Sequence, residues 1–423
     1  MHFNKKVLPS GLRIITAPMK DNPTVTVLVM VEAGSKYETK DTSGISHFLE
    51  HMCFKGTKTR PTALAITKEL DSIGAHYNAF TGHEYTGYFA KADCRHLETV
   101  LDVVSDLYLN PTLPPPEVER EKGVIIEEIN MYEDLPQRRV QDLFMELLYG
   151  DQPAGWPVTG SKESVAAATR DKIAAYRGKH YVSGATAVAV AGGFDEDKLL
   201  KQLENRFTGI SVGSKHPKTR VNERSDGPKA LVKSKETDQT HLVLGVRTFD
   251  IYHKARPVLK VLAGVLGGGM SSRLFQKVRE EMAAGYYIGV SPEFFTDHGF
   301  LEVAAGVKHE KVYDVIKAVL AEFKRLADQA VPPDELRKVK DYLIGTMYLA
   351  LEPSDAIAEY YAVQEILRQP KIKNPGETAA EVESVTASDV KALAGELFKD
   401  DRLNLALVGR LKDGGEFSSV LKF

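Results

Sequence analysis

The chain has 423 residues, of which 43% are hydrophobic and 27% are charged, a composition typical of globular proteins. This length exceeds what one hydrophobic core usually organises, so we expect two domains. The 55 basic and 58 acidic residues give a net charge of −3, which provides no general electrostatic attraction to nucleic acid or to anionic membranes.

Residues 1–11 contain neither the apolar core of a signal peptide nor an Arg-rich presequence. No apolar run approaches the roughly 18 residues that span a bilayer, so we expect no membrane insertion. The sequence therefore favours a cytoplasmic protein, or a mature organellar form that processing has already trimmed. Cys53 and Cys94 are too few for a disulfide framework and are interpreted as free thiols.

Local patterns predict strands and helices through the first half of the chain. In chain order they indicate strands at 12–18 and 24–34, helices at 44–56 and 62–72, a hairpin of strands at 75–80 and 85–91, a helix at 95–109, a long helical region at 117–148 with a break near 135–136, further helices over 162–177 and a buried strand at 186–192. Strands with helices on one side are typical of the α+β class.

The two halves of the sequence match each other. Three places share one offset of 217 residues: Thr169 with Thr386, Gly192 with Gly409, and Pro115-Pro116-Glu117 with Pro332-Pro333-Asp334. A repeat at a fixed offset indicates an internal duplication. We therefore predict two homologous domains at residues 1–208 and 230–423, each an antiparallel-rich sheet flanked by helices, joined by a polar linker at 209–229 that is rich in turn-forming residues.

The predicted helix at 44–56 has two different sides. We expect Thr42 or Ser43 to cap its start and Gly56 to end it. Its apolar residues recur at helical spacing and form one stripe, which predicts a side that packs on a core: Ile45, Phe48, Leu49 and Met52.

The opposite side of this helix carries His47, Glu50 and His51. Two histidines four residues apart on a helix can share one metal ion, and Glu50 between them can reach a water molecule on that metal. The order H-x-x-E-H is the inverzincin pattern, although two histidines and a glutamate also meet on helices by chance. Cys53 is expected to point away from the histidines and is not interpreted as a ligand.

The second half of the chain lacks these three side chains. The offset of 217 places glycines there: Gly264, Gly267 and Gly268. If the histidines served packing alone, both copies would be expected to retain similar residues, so their confinement to one copy indicates chemistry. The glycines are not followed by the Lys-Ser/Thr pair of a P-loop, which argues against a nucleotide site.

A zinc site of this kind needs a third protein ligand. The segment 117–132 has the densest cluster of carboxylates on a predicted helix, and such clusters are often solvated faces, but its β-branched residues make this one too apolar for that. Glu121 and Glu128 are seven residues apart and lie on nearly one face, so one could bind the metal while the other supports it. Neither is matched in the second half, where the counterparts are Lys338 and Gly345.

Together these motifs resemble the pitrilysin and insulysin family of inverzincin metallopeptidases, in the short-chain branch that includes the mitochondrial processing peptidase. In that family 76 residues separate the second histidine from the third ligand, which selects Glu128 over Glu127. The family's second acidic residue, seven positions before the ligand, corresponds to Glu121. The resemblance thus implies that Glu50 and Glu121 take part in catalysis, and that one Zn²⁺ per chain is held by the ligand set His47, His51 and Glu128.

Two further segments share the resemblance. Asn78, Ala79 and Phe80 look like the family's edge strand, which takes the peptide substrate as an added strand. Arg279 and Tyr286 look like the pair in the second half that meets the substrate opposite the metal. Without the resemblance, Arg279 would be interpreted as an exposed helical cation paired with a neighbouring glutamate. The stretch before Tyr286 is less basic than in many relatives, which puts local specificity in doubt.

The resemblance implies a zinc-dependent endopeptidase that hydrolyses unfolded peptides or presequence-like segments inside a chamber, with Glu50 as general base on zinc-bound water. The family builds closed chambers from four such domains, so a half-clamshell of two predicts a homodimer. One alternative is the catalytic subunit of a heterodimeric processing peptidase, against which the Arg279/Tyr286 pair argues. The other is a non-catalytic scaffold subunit, against which the complete set of metal-site residues argues.

Overall fold

The computed structural model describes residues 2–223, 227–411 and 415–423. Its strands, in chain order, are β1 (Asn4–Val7), β2 (Arg13–Pro18), β3 (Thr24–Val31), β4 (His76–Thr81), β5 (Thr86–Asp93), β6 (Thr186–Gly192), β7 (Lys229–Ser234), β8 (Thr240–Thr248), β9 (Gly285–Phe294), β10 (Gly299–Val307) and β11 (Leu403–Gly409).

Its α-helices are α1 (Ile45–Cys53), α2 (Ala63–Ser72), α3 (Leu97–Leu109), α4 (Pro115–Asp134), α5 (Pro136–Tyr149), α6 (Lys162–Ala166), α7 (Arg170–His180), α8 (Glu196–Arg206), α9 (Arg256–Gly267), α10 (Val312–Asp328), α11 (Pro333–Ala350), α12 (Ser354–Ile366), α13 (Pro375–Glu383), α14 (Ala387–Leu397) and α15 (Gly415–Ser418). A π-helical segment spans Phe275–Glu281. Among the helices of the described residues, none combines the length and the apolarity needed to cross a bilayer.

The chain forms two compact units, and each takes one segment from the other half of the sequence. The first unit comprises Met1–Ile129, Pro157–Thr219 and Leu349–Gly376, and the second comprises Asn130–Trp156, Arg220–Tyr348 and Glu377–Phe423. This division concerns packing, whereas the predicted boundaries at 1–208, 209–229 and 230–423 concern the duplicated sequence. Those boundaries stay a prediction.

The sheets of the two units share one strand order over five strands, and the first sheet has β1 in addition. The first sheet has the order β1-β2-β6-β3-β5-β4, and the second has the order β7-β11-β8-β10-β9. In each sheet one pair is parallel, β2 with β6 and β7 with β11, and the other pairs are antiparallel. An internal duplication predicts such a shared order, and the predicted α+β class with helices against the sheets is confirmed.

One helix in each unit comes from the other sequence half. In the first unit α12 packs on β3 and β6, and Arg13 of β2 donates a hydrogen bond to the carbonyl oxygen of Glu365, 3.2 Å away. In the second unit α5 packs on β8 and β11 through the buried side chains of Val140, Leu143 and Phe144. These side chains follow helical spacing, so the apolar stripe of each helix is covered by a sheet.

Two of the predicted helical regions each form two separate helices. The break near 135–136 is confirmed, because Pro136 begins α5 after α4 ends at Asp134. The helices predicted at 162–177 are α6 and α7, which are separate because the Thr169 side chain accepts a hydrogen bond from Lys172 N and starts a new helix.

Candidate metal centre

Helix α1 buries one side in the core of the first unit. Its apolar stripe is confirmed, with all four predicted residues almost fully buried: Ile45, Phe48, Leu49 and Met52. Glu50 and His51 are half-buried on the other side of the helix, and His47 is 8% exposed. Burial of the stripe therefore fixes the direction in which the three polar side chains point.

The start of α1 differs from the prediction that Thr42 or Ser43 would cap it. The N-cap is Gly44, with a φ of 88°, and the Glu38 carboxylate accepts hydrogen bonds from Gly44 N at 2.7 Å and Ser46 N at 2.8 Å. Thr42 is unavailable because its hydroxyl belongs to the capping box of the preceding turn. A Cβ at position 44 would lie 2.5 Å from the carbonyl oxygen of Thr159, so glycine is required there.

Replacing Glu38 with alanine should lower the free energy of unfolding by about 2–4 kcal/mol, because two buried N–H groups lose their acceptor. Urea denaturation of the purified chain measures the loss. Asp41→Ala is the matched control, since Asp41 is an exposed acid of the same loop, and it should cost less than about 0.5 kcal/mol. Equal stability of the two variants would show that Glu38 does not hold the start of α1.

The structure brings His47, His51 and Glu128 together. One ligand atom from each lies within 4.8 Å of the other two. The Nε2 atoms of His47 and His51 are each 3.6 Å from Glu128 Oε2. This separation is long for a hydrogen bond but fits three atoms that each lie about 2 Å from a common ion. Two imidazoles and one carboxylate are also the donor set that Zn²⁺ accepts, so the residues fit this metal.

The electrostatic environment differs between the two histidines. Burial, with a smaller contribution from the neighbouring His51, lowers the pKa of His47 to about 4, so at neutral pH its imidazole is neutral, the form that binds metals. Burial also acts to lower the pKa of His51, but the hydrogen bond to Glu121 and the nearby carboxylates outweigh it and raise that pKa.

Glu121 holds the outer side of His51. His51 Nδ1 lies 2.9 Å from Glu121 Oε1, and Lys55 Nζ lies 2.6 Å from Glu121 Oε2. Hydrogen bonds and charge from His51 and Lys55 outweigh the burial of Glu121 and lower its pKa. The ionised carboxylate must accept from His51 Nδ1, so the proton stays on Nδ1 and the lone pair of Nε2 faces Glu128.

Glu121→Gln should therefore reduce zinc affinity by about 10- to 100-fold, because it removes the charge that orients and polarises His51. Competition with a zinc-binding dye measures the affinity. Glu119→Gln is a suitable control, since the Glu119 side chain is 70% exposed on the same helix and pairs with Lys122. If both variants bind zinc as the wild type does, Glu121 has no supporting role.

Glu50 lies beside this group and is held by the sheet. Thr81, the last residue of β4, donates its hydroxyl to Glu50 Oε2. Burial raises the pKa of Glu50, and the hydrogen bond from Thr81 opposes this change. Among the described strands β4 ends the first sheet and pairs only with β5, so no strand covers its outer backbone edge beside the carboxylate, where Ala79 N donates to the Asn78 side chain at 2.9 Å.

Sequence comparison assigns the chain to a known group of proteins. A family model described as Insulinase (Peptidase family M16) matches residues 13–162, and a model described as Peptidase M16 inactive domain matches residues 167–343. A Mycobacterium leprae protein named as an uncharacterized zinc protease is 34% identical over 408 residues, which cover 96% of this chain and 91% of that protein. This chain belongs to peptidase family M16.

Two other proteins extend the comparison. A Bacillus subtilis protein, also named as an uncharacterized zinc protease, is 35% identical to this M16 chain over 93% of the chain and 95% of that protein. A crystal structure of a protease from Helicobacter pylori shares the fold, with a TM-score of 0.91 and 22% identity, over 96% of this chain and 99% of the other. The name of the Bacillus subtilis relative supports the zinc-protease class, and the Helicobacter pylori structure supports the fold.

The predicted substrate-strand residues of this M16 chain lie on β4. Asn78 is exposed, Ala79 is buried, and the half-buried Phe80 covers Gly87 of β5 with its ring. Thr81 follows these residues directly in the sequence, but its hydrogen bond to Glu50 was not predicted from the sequence. It could have been suspected, because residues alternate along a strand and Thr81 shares the face of the buried Ala79.

Arg279 and Tyr286 lie in the second unit. Tyr286 is 70% exposed on β9, and the Arg279 guanidinium lies over the Phe275 ring at 4.9 Å from its centroid. Within the described part of the chain Arg279 makes no ion pair, and Glu281 instead pairs with Lys277 at 2.7 Å. The predicted contact of Arg279 and Tyr286 with substrate stays a prediction.

In the second unit, the position that corresponds to α1 serves packing. Gly264 of α9 faces α11 so closely that a Cβ would lie 2.7 Å from a methyl carbon of Val339 and 3.2 Å from one of Leu343. A histidine would not fit there. The family model described as an inactive domain covers this region, which agrees with the glycines at the three positions that correspond to His47, Glu50 and His51.

Two other contributors to the site were missed by sequence reasoning. Lys55 follows His51 by four residues, so helical spacing could have indicated that it joins His51 and Glu121. Glu38 lies in a loop ahead of α1, and no periodicity links a loop carboxylate to a helix start. The thiol of Cys53, in agreement with the prediction, is buried against Tyr88 and away from the histidines, and burial raises its pKa to about 11.

Proposed function

We propose that this chain is a zinc endopeptidase that cleaves unfolded peptides or presequence-like segments, with one Zn²⁺ per chain. The observation that carries the proposal is the meeting of His47, His51 and Glu128 beside Glu50, at the open edge of β4. The names of its M16 relatives support the zinc-protease class.

Three side chains would hold the metal: His47 and His51 through Nε2, and Glu128 through a carboxylate oxygen. Zinc in such a site lowers the pKa of water to about 7 and polarises a peptide carbonyl. Glu121 keeps the His51 ring in place, and Lys55 balances the negative charge of Glu121.

Glu50 moves the proton in this proposal. Its partly buried carboxylate takes a proton from the attacking water and later gives it to the leaving amine. Thr81 fixes one carboxylate oxygen by donating to Oε2, so the other oxygen is the one available for proton transfer. The raised pKa of Glu50 suits this role, because it makes the carboxylate a stronger base towards the attacking water.

The substrate would bind as an additional strand along β4. Within the segment of Asn78, Ala79 and Phe80, alternate residues direct their backbone groups away from β5 for hydrogen bonds with a substrate, and this mode reads backbone more than sequence. A segment must be extended to pair in this way, so unfolded peptides are preferred over folded proteins.

We further propose a homodimer that forms a closed chamber, with Arg279 and Tyr286 steadying the substrate carbonyl. This rests on the family resemblance of the sequence. Light scattering of the active enzyme should give twice the chain mass, and a monomeric mass would contradict the homodimer.

Zinc content and peptide cleavage by the purified chain test the function together. We expect about one zinc per chain by elemental analysis and cleavage of a quenched peptide library that stops with a chelator and resumes with added Zn²⁺. Failure to bind zinc, or cleavage that resists chelation, would overturn the proposal. A zinc-binding chain that cleaves only after a second protein is added would indicate the heterodimer.

A further inference from the structure

A cavity of about 160 Å³ opens on the face of the first sheet opposite α1. Its floor comes from the strands and its other wall from the start of α12, all within the first unit. Its lining includes Leu28, Phe80, Phe89, Pro353, Asp355 and Glu359.

The strand register shows which side chains share this face. Leu28 pairs with Phe89, and Phe80 pairs with Gly87, two residues before Phe89 and covered by the Phe80 ring. Residues two apart on a strand point to the same face, so Phe80 points to the cavity and Thr81 points to Glu50. A peptide added at the edge of β4 alternates in the same way, with every second side chain on the cavity face.

The cavity combines an apolar floor with negative charge. Asp355 and Glu359 are four residues apart on α12 and line the same wall. Asp355 is paired with Lys91 at 2.9 Å. Glu359 is exposed overall although it lines the cavity, and it has neither a hydrogen bond nor an ion pair among the described residues; the local burial of its carboxylate together with the charge of Asp355 raises its pKa. A cation would remove this repulsion.

We propose that this cavity is a substrate side-chain subsite for lysine or arginine of a peptide paired with β4. The inference rests on the proposed peptidase function and adds its specificity. The basic group would lie against Glu359, with its carbon stem over the rings of Phe80 and Phe89.

The distances favour a long side chain. Neighbouring strands lie about 4.8 Å apart, so an added strand is one spacing outside Phe80, and its short side chains would end above that ring. The four-carbon stem of lysine extends farther towards α12. Lys91 of β5, two strand positions closer to α12 than an added strand, shows that a lysine side chain on this face pairs with a carboxylate of α12.

Pairs of quenched peptides that differ at one residue, Lys or Gln, test the subsite when this residue is placed in turn at each position near the cut. We expect one position at which kcat/KM is about tenfold higher for Lys, a difference of about 1.4 kcal/mol. Glu359→Gln should reduce this ratio to about twofold or less, and Glu359→Lys should invert it, so that the Gln peptide is cleaved faster than the Lys peptide. Glu352→Gln, which removes an exposed carboxylate just ahead of α12 and outside the cavity, should keep the wild-type ratio.

A binding assay separates this inference from the catalytic proposal. Fluorescence anisotropy with the zinc-loaded Glu50→Gln protein should show about tenfold tighter binding of the Lys peptide, and adding Glu359→Gln should remove the difference. Equal binding of Lys and Gln peptides, or a preference that survives Glu359→Gln, would overturn the subsite. If the wild type cleaves neither peptide, the peptidase proposal fails, and the binding assay still decides the subsite.

Discussion

Replacing Glu50 with glutamine should abolish peptide hydrolysis while the chain keeps its fold and its zinc. The amide has nearly the volume of the carboxylate and its carbonyl still accepts the Thr81 hydrogen bond, but it cannot take a proton from water. General acid–base catalysis contributes about 10²- to 10⁴-fold to the reaction rate, so kcat should fall by at least about 10²-fold. Cleavage of a quenched peptide and elemental analysis of zinc measure the two properties on one sample.

The control for Glu50 must remove the same charge without touching the site. Glu127→Gln does so, because Glu127 is exposed on α4 beside the proposed ligand Glu128. It should retain wild-type kcat and zinc. Full activity of Glu50→Gln would exclude Glu50 as the base, and loss of zinc from that variant would move Glu50 into the ligand set.

Replacing Glu128 with glutamine should remove the metal and with it the activity. A supporting residue outside the ligand set changes metal affinity by about 10- to 100-fold, so loss of a ligand should exceed about 100-fold. The Nε2 atoms of His47 and His51 would then face an uncharged amide in place of the oxygen that lies 3.6 Å from each. Dialysis against a zinc buffer followed by elemental analysis measures the loss.

The neighbouring pair Glu127 and Glu128 makes this test specific. If the exposed Glu127 were the ligand, Glu127→Gln would lose zinc and Glu128→Gln would keep it. Far-ultraviolet circular dichroism should show that both variants fold. Excess Zn²⁺ should not restore full activity to the variant that has lost a ligand. Zinc retention by Glu128→Gln would remove it from the proposed site.

The motif and the apolar stripe of α1 are local patterns, and the sequence predicts them well. Residues three and four apart share a helix side, so His47, Glu50 and His51 had to lie together opposite Ile45 and Phe48. The choice of Glu128 needed more, because no periodicity spans 76 residues, and it came from the resemblance to a family. Its position near the histidines is a property of how α4 packs against α1.

Other features depend on contacts between distant segments. Glu38 caps α1 because the fold places its carboxylate at the two free N–H groups, and Thr81 reaches Glu50 because β4 ends beside that helix. In the same way α12, which comes from the second half of the sequence, forms one wall of the cavity at Phe80.

The sequence by itself determined the α+β class, the internal match between the halves and the shared side of α1 for its three polar side chains, His47, Glu50 and His51. These follow from periodicity and spacing, which act over one or two helical turns or along one strand. Only the tertiary structure decided which residue holds Glu50 and which helix covers each sheet, and it brought next to the histidines the carboxylates that the family resemblance had selected. Those choices depend on the burial of apolar faces against partners far away in the chain, and an apolar stripe does not specify which partner will cover it.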